Sequence, residues 1–266
     1  MKLENSLVLV TGAGNGIGRD LCIALSEKKA VVIGVDVDAK ALAATQKILQ
    51  EKEKSFLGFV CDLSDEKSVQ VLLSKLKKLP KYPDVLINNA GIAPGGPIES
   101  RDYSEWKKCL STNINGTIQL TLGMLPHFQK RNSGHIVNLA SIAGKMGSEG
   151  VVIYSATKHA IVGFSSGLRY ELKRWNIGVS WICPSMVATR MIDGVKPSFW
   201  TPIVEPKQVT KAILSAIEKN KSEVFVPWFL KYTITILPTL SMDFALWFAR
   251  KTNASIGWYN AKNKVR

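Results

Sequence analysis

The residue types best suited to chemistry are Tyr154 and Lys158, which lie in the run YSATK at 154–158. The segment continues to Phe164 without proline and with apolar residues at helical spacing. We therefore predict a helix that carries the tyrosine and the lysine one turn apart on one face. An ammonium beside a phenol stabilises the phenolate, so such a pair can exchange a proton with a hydroxyl or a carbonyl near neutral pH. Taken alone, the run favours an exposed helix turn with two unrelated polar side chains, so the surrounding elements must decide.

The length of the chain sets the number of domains. With 266 residues, no low-complexity linker and no internal repeat, the sequence fits one large α/β domain. We assign residues 1–226 to this domain and residues 227–266 to a basic, aromatic-rich helical extension.

Charge and metal-binding residue types limit the partners. The formal net charge is +14, but the lysines are spread through helical segments with glutamates between them, so we predict a solvated surface and no nucleic-acid partner. The four cysteines and three histidines are scattered without ligand spacing, so we predict reduced thiols and no metal. A strand-like run is under way by Leu7 and leaves no room for a signal peptide, so we expect an intracellular protein.

A glycine-rich turn follows the first predicted strand. The strand Leu7–Val10 runs into TGAGNGIG at 11–18, and a helical pattern starts at Leu21. Such a turn brings the backbone and a helix N-terminus close to a pyrophosphate. A second strand ends at Asp36, about 20 residues further on, where a carboxylate can bind a ribose diol. Asp36 can also cap a helix that starts at Ala39, but the glycine turn favours the ribose role.

The same alternation of strands and helices continues along the chain. A third strand is predicted over Leu57–Leu63, with Asp62 at its carboxyl end, and an amphipathic helix over Lys67–Leu79. A fourth strand, Asp84–Ile87, ends in the run NNAG at 88–91. Strands alternating with helices predict right-handed crossovers, and the fold class is α/β: a single, doubly wound Rossmann domain with a parallel sheet.

Several motifs together resemble one family. The glycine run, Asp62, the run NNAG, Asn113 within TNING at 112–116, Ser141 after a strand over His135–Leu139, and the pair Tyr154 and Lys158 have the order and spacing of the short-chain dehydrogenase/reductase family. The resemblance covers residues 6 to about 190 and, because so many motifs coincide, it is highly specific.

The resemblance implies the roles of a catalytic set formed by Asn113, Ser141, Tyr154 and Lys158. Tyr154 is expected to exchange the proton with the substrate oxygen, while Lys158 lowers the tyrosine pKa and binds the nicotinamide ribose. Ser141 is expected to bind the same substrate oxygen, and Asn113 to hold a water that relays protons. The cofactor contacts that we assign are Gly12, Asn15, Gly16, Ile17, Gly18, Asp36, Asp62, Leu63, Asn89, Ala90, Gly91, Tyr154, Lys158, Pro184, Val187 and Thr189.

Two positions indicate NAD as the cofactor. Asp36 accepts hydrogen bonds from a free 2′-hydroxyl and repels a 2′-phosphate. Asn15 stands where relatives that prefer NADP often carry a basic residue. We therefore expect NAD(H).

A substrate lid is expected at about residues 190–206. An acidic substrate would need Arg190 to point into the pocket. The lid side chains are mostly large and apolar, so an apolar alcohol or ketone is favoured. They can equally well only cover the core. These residues are Met191, Ile192, Val195, Phe199, Trp200 and Ile203.

The extension is rich in aromatic and basic residues. Lys231, Asp243 and two prolines interrupt its apolar run, so a transmembrane helix is not expected, and we predict two short amphipathic helices joined near Pro238. They can lie on an anionic membrane or lipid-droplet surface, cover the substrate pocket, or form an oligomer contact. This extension is similar to the branch with 17-beta-hydroxysteroid and retinol dehydrogenases of the endoplasmic reticulum or lipid droplets. The family also implies a homodimer or homotetramer.

Together these features predict an NAD(H)-dependent oxidoreductase acting on a lipophilic secondary or allylic alcohol, such as a steroid or retinoid, or on its ketone or aldehyde. Within enzymes, the alternative is a 3-oxoacyl-thioester reductase, since a basic surface attracts an acidic carrier protein. Outside enzymes, the alternative is a catalytically silent scaffold on a lipid surface.

Overall fold

The core of the fold is a parallel β-sheet. A computed structural model describes residues 1–195, 198, 200–252 and 258. Within this part of the chain, seven strands form one sheet in the order β3-β2-β1-β4-β5-β6-β9, and β7 pairs with β8 beside it. The strands are β1 Leu7–Thr11, β2 Val31–Asp36, β3 Phe56–Val60, β4 Val85–Asn88, β5 Gly134–Leu139, β6 Ile177–Pro184, β7 Met186–Val187, β8 Ile203–Val204 and β9 Glu223–Val226.

Helices cover both faces of this sheet. Successive strand residues point to opposite sides, so Val8 packs with the helices on one face and Leu9 with those on the other. This arrangement confirms the doubly wound Rossmann prediction. The helices are α1 Gly16–Glu27, α2 Ala39–Gln50, α3 Glu66–Lys77, α4 Tyr103–Leu110, α5 Thr117–Arg131, α6 Val152–Leu172, α7 Pro206–Lys219, α8 Leu230–Leu240 and α9 Met242–Lys251.

The third strand is shorter than predicted. It ends at Val60, so Asp62 lies two residues beyond the strand and not within its carboxyl end, as was predicted. The reason is local: the Asp62 carboxylate accepts hydrogen bonds from the backbone N–H and the hydroxyl of Ser64, which bends the chain toward α3. Asp62 nevertheless remains at the carboxyl edge of the sheet.

The two tail helices are joined at Ser241, three positions after Pro238, which confirms the predicted pair of helices joined near that proline. Pro238 lies in the last turn of α8, where it has no N–H to donate to the preceding turn. Ser241 caps α9, because its hydroxyl accepts a hydrogen bond from the Phe244 N–H at 3.2 Å. The proline therefore weakens the end of one helix, and the serine starts the next.

Helix α8 packs on the main domain through its first turns. Leu230 and Ile234 are buried against Ile161 of α6 and against Trp181 and Phe225 of β6 and β9. The extension is thus seated next to the helix that carries Tyr154 and Lys158.

His135 is a buried titratable group within the sheet. It is 2 % exposed, and its Nε2 lies 2.9 Å from the hydroxyl of Ser180. That hydroxyl donates its own proton to the Lys221 carbonyl, so Nε2 carries the proton and donates it to Ser180. Burial is the main cause that lowers the pKa of His135 to about 3, and the positive N-terminus and Arg169 contribute to the same shift.

We predict that His135 makes the protein sensitive to acid. Its folded pKa of about 3 lies below its ordinary value of 6.5, so between these pH values the unfolded chain binds more protons and stability falls as the pH falls. The loss amounts to several kcal/mol in all, since each pKa unit is worth about 1.4 kcal/mol. Urea unfolding at a series of pH values should therefore show a shallower acid loss for His135→Gln than for the wild type. Parallel curves for the two proteins would contradict this assignment.

Candidate active site

The glycine turn between β1 and α1 has a shape that other residues cannot adopt. Gly12 and Gly16 have φ values of +67° and +51°, in the left-handed region that favours glycine. A Cβ on Gly18 would lie 1.9 Å from the Gly12 carbonyl oxygen. The turn therefore presents bare backbone and the N-terminus of α1 to the space above the sheet, which is how proteins bind a phosphate group.

Thr11 and Asn89 fix this turn to the end of β4. The Thr11 hydroxyl accepts hydrogen bonds from the Asn89 and Ala90 N–H groups at 3.0 and 2.9 Å. The Asn89 side-chain amide donates to the Thr11 carbonyl at 2.8 Å. Asn89 thus supports the turn as well as facing the pocket. Sequence reasoning did not assign Thr11 to the site, although a hydroxyl just before a glycine turn is a recognisable bracing signal.

Asp36 lies at the tip of β2, beside the same turn. One carboxylate oxygen accepts from the Gly14 N–H at 2.8 Å and the other from the Asp38 N–H at 2.9 Å. The capping role that the sequence left open belongs to Asp38, whose carboxylate accepts from the N–H groups of Lys40 and Ala41. Asp36 is therefore an oriented carboxylate rather than a helix cap.

Tyr154, Lys158 and Ser141 meet at the carboxyl edge of the sheet. Tyr154 and Lys158 lie on α6 as predicted, and the Lys158 Nζ lies 5.5 Å from the centre of the Tyr154 ring. Lys158 is buried and donates to the Leu139 carbonyl at 2.6 Å. Ser141 follows β5, and its hydroxyl is close enough to Tyr154 to act on the pKa of the tyrosine. The three polar groups of the predicted catalytic set thus share one small space.

The pKa of Tyr154 is raised in this structure, whereas the family resemblance implied that Lys158 lowers it. Burial raises the pKa of Tyr154 to about 12, and the hydrogen bond from Ser141 only partly opposes the rise. Burial lowers the pKa of Lys158 to about 8. Burial therefore disfavours the charged form of both groups, the phenolate and the ammonium.

Asn113 acts as a clamp behind the catalytic residues. It lies in a π-helical turn, Ser111–Gly116, between α4 and α5, a form that is rare and often found at functional sites. Its amide accepts from the Ile92 N–H and donates to the Ile92 carbonyl, both at 2.9 Å, and it donates to the Thr157 hydroxyl at 3.1 Å. Asn113 thus joins the loop after β4 to α6. The water relay expected at Asn113 stays a prediction.

One cavity of about 1010 Å³ joins these parts. Ser141, Tyr154 and Lys158 line it, whereas Asn113 lies behind its wall. Of the residues assigned to the cofactor, Gly18 alone does not line the cavity, since it acts through the close approach to Gly12 described above. The lining members are Gly12, Asn15, Gly16, Ile17, Asp36, Asp62, Leu63, Asn89, Ala90, Gly91, Tyr154, Lys158, Pro184, Val187 and Thr189. A glycine cradle at one end and an oriented carboxylate beside it fit a dinucleotide.

The other end of the cavity is mostly apolar. The predicted lid contributes to its wall, so these side chains do more than cover the core; Phe199 lies outside the described residues. The lid residues that line the cavity are Met191, Ile192, Val195, Trp200 and Ile203. The tail closes the same end with Ile234, Phe248 and Trp258, and the Trp258 ring lies 6.5 Å from that of Tyr154. Sequence reasoning missed Trp258 because its neighbour in space is 104 positions away in the chain.

Arg190 points away from the substrate end of the cavity. Its guanidinium donates to the Asn15 side-chain oxygen at 2.7 Å, which ties the start of the lid to the glycine turn. Arg19 donates to the Gly14 carbonyl and to the same Asn15 oxygen from α1. An arginine clamp for an acidic substrate is therefore absent at Arg190.

Comparison with known proteins decides the family. The model of the family described as short chain dehydrogenase matches residues 6–198. The chain belongs to this family. It is an oxidoreductase of the short-chain dehydrogenase type, as the sequence motifs predicted.

Curated relatives of this short-chain dehydrogenase act in different branches of the family. It is 30 % identical over 231 residues to human 17-beta-hydroxysteroid dehydrogenase 13, covering 86 % of this chain and 77 % of the relative. It is 30 % identical over 245 residues to mouse epidermal retinol dehydrogenase 2, covering 89 % and 79 %. It is also 34 % identical over 191 residues to a 3-oxoacyl-[acyl-carrier-protein] reductase of Haemophilus influenzae, covering 72 % and 78 %.

Solved structures share the fold. A short-chain dehydrogenase/reductase from Burkholderia phymatum in complex with NAD matches with a TM-score of 0.82 at 24 % identity, covering 91 % of this chain and 96 % of that one. A short-chain dehydrogenase from Sphingobium yanoikuyae in complex with NADPH matches with a TM-score of 0.78 at 24 % identity, covering 94 % and 95 %. Proteins with this fold are thus found in complex with NAD and with NADPH.

The lowered pKa of Lys158 predicts a stability change at alkaline pH. The folded pKa of about 8 lies below the ordinary value of 10.5, so between these values the unfolded chain binds more protons and the stability from this group rises with pH. Relative to Lys158→Met, the wild-type free energy of unfolding should therefore rise by up to about 3 kcal/mol across this range. Denaturant unfolding without added nucleotide measures the difference. A constant difference would show that the ammonium is not desolvated.

Proposed function

We propose that this short-chain dehydrogenase interconverts a lipophilic secondary or allylic alcohol and its ketone or aldehyde with NAD(H). The proposal depends on which residues line the cavity. Tyr154, Ser141 and Lys158 lie together on its wall, and the lid and tail add large apolar side chains to it. A steroid, a retinoid or a related lipid has this combination of one oxygen and an extended apolar body.

The chain supplies a proton and an oriented hydrogen bond. The Tyr154 hydroxyl is the acid toward a carbonyl oxygen and, as phenolate, the base toward an alcohol. Ser141 donates to the same oxygen as negative charge develops on it. A bound nicotinamide supplies or accepts the hydride at the carbon. The Lys158 ammonium donates a hydrogen bond to the Leu139 carbonyl. From this position it is close to Tyr154 and can also orient the ribose of a bound nucleotide.

The direction of Arg190 supports an uncharged substrate. Since Arg190 is bonded to Asn15, the described part of the lid offers no arginine at the apolar end of the cavity to match a carboxylate. Burying a carboxylate against Met191, Ile192 and Trp258 without such a partner would cost several kcal/mol. The relatives named for steroid and retinol dehydrogenation agree with this class of substrate.

A second candidate reaction is the reduction of a 3-oxoacyl thioester. The similarity to the Haemophilus influenzae reductase favours it, and an acyl chain also suits an apolar cavity. The test is NADH production over retinol, steroid alcohols, long-chain secondary alcohols and hydroxyacyl thioesters. Turnover restricted to the thioesters would replace the proposal. Tight NADH binding without any turnover would favour the catalytically silent scaffold.

We predict that Tyr154→Phe lowers kcat by about two to four orders of magnitude, the usual contribution of a positioned acid or base. The phenyl ring keeps the packing against Lys158 and Trp258, so NADH affinity should stay close to that of the wild type. Steady-state kinetics and fluorescence titration with NADH measure the two quantities. Undiminished turnover would assign proton transfer to another group.

We predict that Asp36 sets the preference for NADH over NADPH. Asp36→Ser removes the charge that repels a 2′-phosphate, and the ratio of kcat/KM for NADH to that for NADPH should fall by at least about tenfold, equivalent to about 1.4 kcal/mol.

Asp38→Ser is the matched control for this substitution. It removes a neighbouring carboxylate but keeps a side-chain oxygen that can cap α2, so both the stability and the cofactor ratio should stay close to those of the wild type. Equal effects of the two substitutions on the ratio would show that the preference does not depend on Asp36.

A further inference from the structure

The tail helices α8 and α9 expose an unusual amount of apolar surface. We define the outer face as the large apolar side chains from residue 228 to residue 247 that are at least 46 % exposed. Several stack on one another: Trp228 lies edge-on to Tyr232 at 6.2 Å, and Phe244 stacks on Trp247 at 5.7 Å. The outer face consists of Trp228, Tyr232, Ile236, Met242, Phe244, Leu246 and Trp247.

The opposite side of the same helices is also apolar and faces the cavity. Ile234, Ala245 and Ala249 are buried and line it, together with Phe248. A helix that is apolar on two sides is expected to be covered on both. Here the inner side is covered by the domain, and the described part of the chain leaves the outer face in water.

The charge around the outer face selects what can cover it. Residues 227–266 contain six lysines and arginines and one acid, Asp243. Lys231, Arg250 and Lys251 are exposed on the two helices. A second copy of the chain would bring these like charges together, which opposes association. An anionic surface matches them, and tryptophan and tyrosine rings are suited to the boundary between water and acyl chains.

Two side-chain contacts join α9 to the rest of the domain. Arg250 forms an ion pair at 2.9 Å with Glu149, in the loop that precedes α6. Trp200 of the lid lies edge-on to Phe248, with ring centres 5.1 Å apart. The outer face and the apolar end of the cavity are therefore on the two sides of one helical layer, about 10 Å thick.

We infer that the outer face of α8 and α9 docks on an anionic lipid surface, and that the lipophilic substrate passes from that surface into the cavity beneath the two helices. The docking stands on the exposed aromatic side chains and the positive charge. The passage of substrate rests on the proposed function.

Vesicle co-sedimentation tests the docking directly. Phosphatidylcholine vesicles with phosphatidylserine should sediment the wild-type protein, and pure phosphatidylcholine vesicles should not. The double variant Trp228→Ser with Trp247→Ser should bind the anionic vesicles at least about tenfold more weakly, because it removes the two largest exposed rings from the interface. Tyr170→Ser is the matched control, since Tyr170 is 85 % exposed on α6, away from the tail.

A charge-reversed pair keeps the test valid if the tryptophan variant folds poorly. Lys231→Glu with Lys251→Glu leaves the apolar face intact and should weaken binding by at least about tenfold, since each basic side chain near such a surface contributes about 1 kcal/mol. Lys67→Glu with Lys77→Glu, on exposed positions of α3, should leave binding within a factor of about two because α3 does not carry the proposed surface. Circular dichroism checks that each variant is folded.

The outcomes separate the docking from the catalytic proposal. Binding is measured without substrate, and turnover of a short, water-soluble secondary alcohol is measured without vesicles. Turnover without vesicle binding would overturn the docking and leave the catalytic proposal intact, whereas binding without turnover would do the reverse. Equal binding to neutral and anionic vesicles would overturn the electrostatic part. A dimer that dissociates in the tryptophan variant would show that a second copy covers the face.

Discussion

The buried ammonium of Lys158 constrains the rest of the site. A lysine this deep in the protein needs a strong acceptor, and it has the carbonyl of Leu139 at 2.6 Å, at the end of β5. Gly144 packs so closely on the Lys158 backbone that a Cβ there would lie 2.6 Å from the Lys158 carbonyl oxygen. On the other side, Asn113 links α6 to the loop after β4 through Thr157. The position of Tyr154 is therefore fixed by contacts that begin one helical turn away.

The neutral groups around this ammonium are consistent with its lowered pKa. Cys109 and Cys183 lie near Tyr154 and Lys158, and burial raises the pKa of these thiols to about 11 and about 12. They stay neutral at physiological pH and contribute no counter-charge. Among the described residues, the Lys158 ammonium is thus held by the Leu139 carbonyl and not by a buried ion pair.

The sequence predicted the parts of the site that depend on local order, and it failed where distant segments meet. The glycine turn, Asp36 and the catalytic helix each follow from spacing within one strand–helix unit, and the fold brings them together at one sheet edge. The contact of Trp258 with Tyr154 and the bond of Arg190 to Asn15 depend on how the lid and tail fold back over that edge. Contacts between segments that are distant in the chain leave no periodic pattern in the sequence, so they cannot be predicted from residue spacing.

The bond between Arg190 and Asn15 has a consequence for how the lid opens. It joins the first residue of the lid to the glycine turn, so these two segments move as one unit while it persists. Both side chains line the cavity, so a group that enters between them must break this bond, and it frees the start of the lid as it does so. Opening of the lid is therefore coupled to binding at the glycine turn.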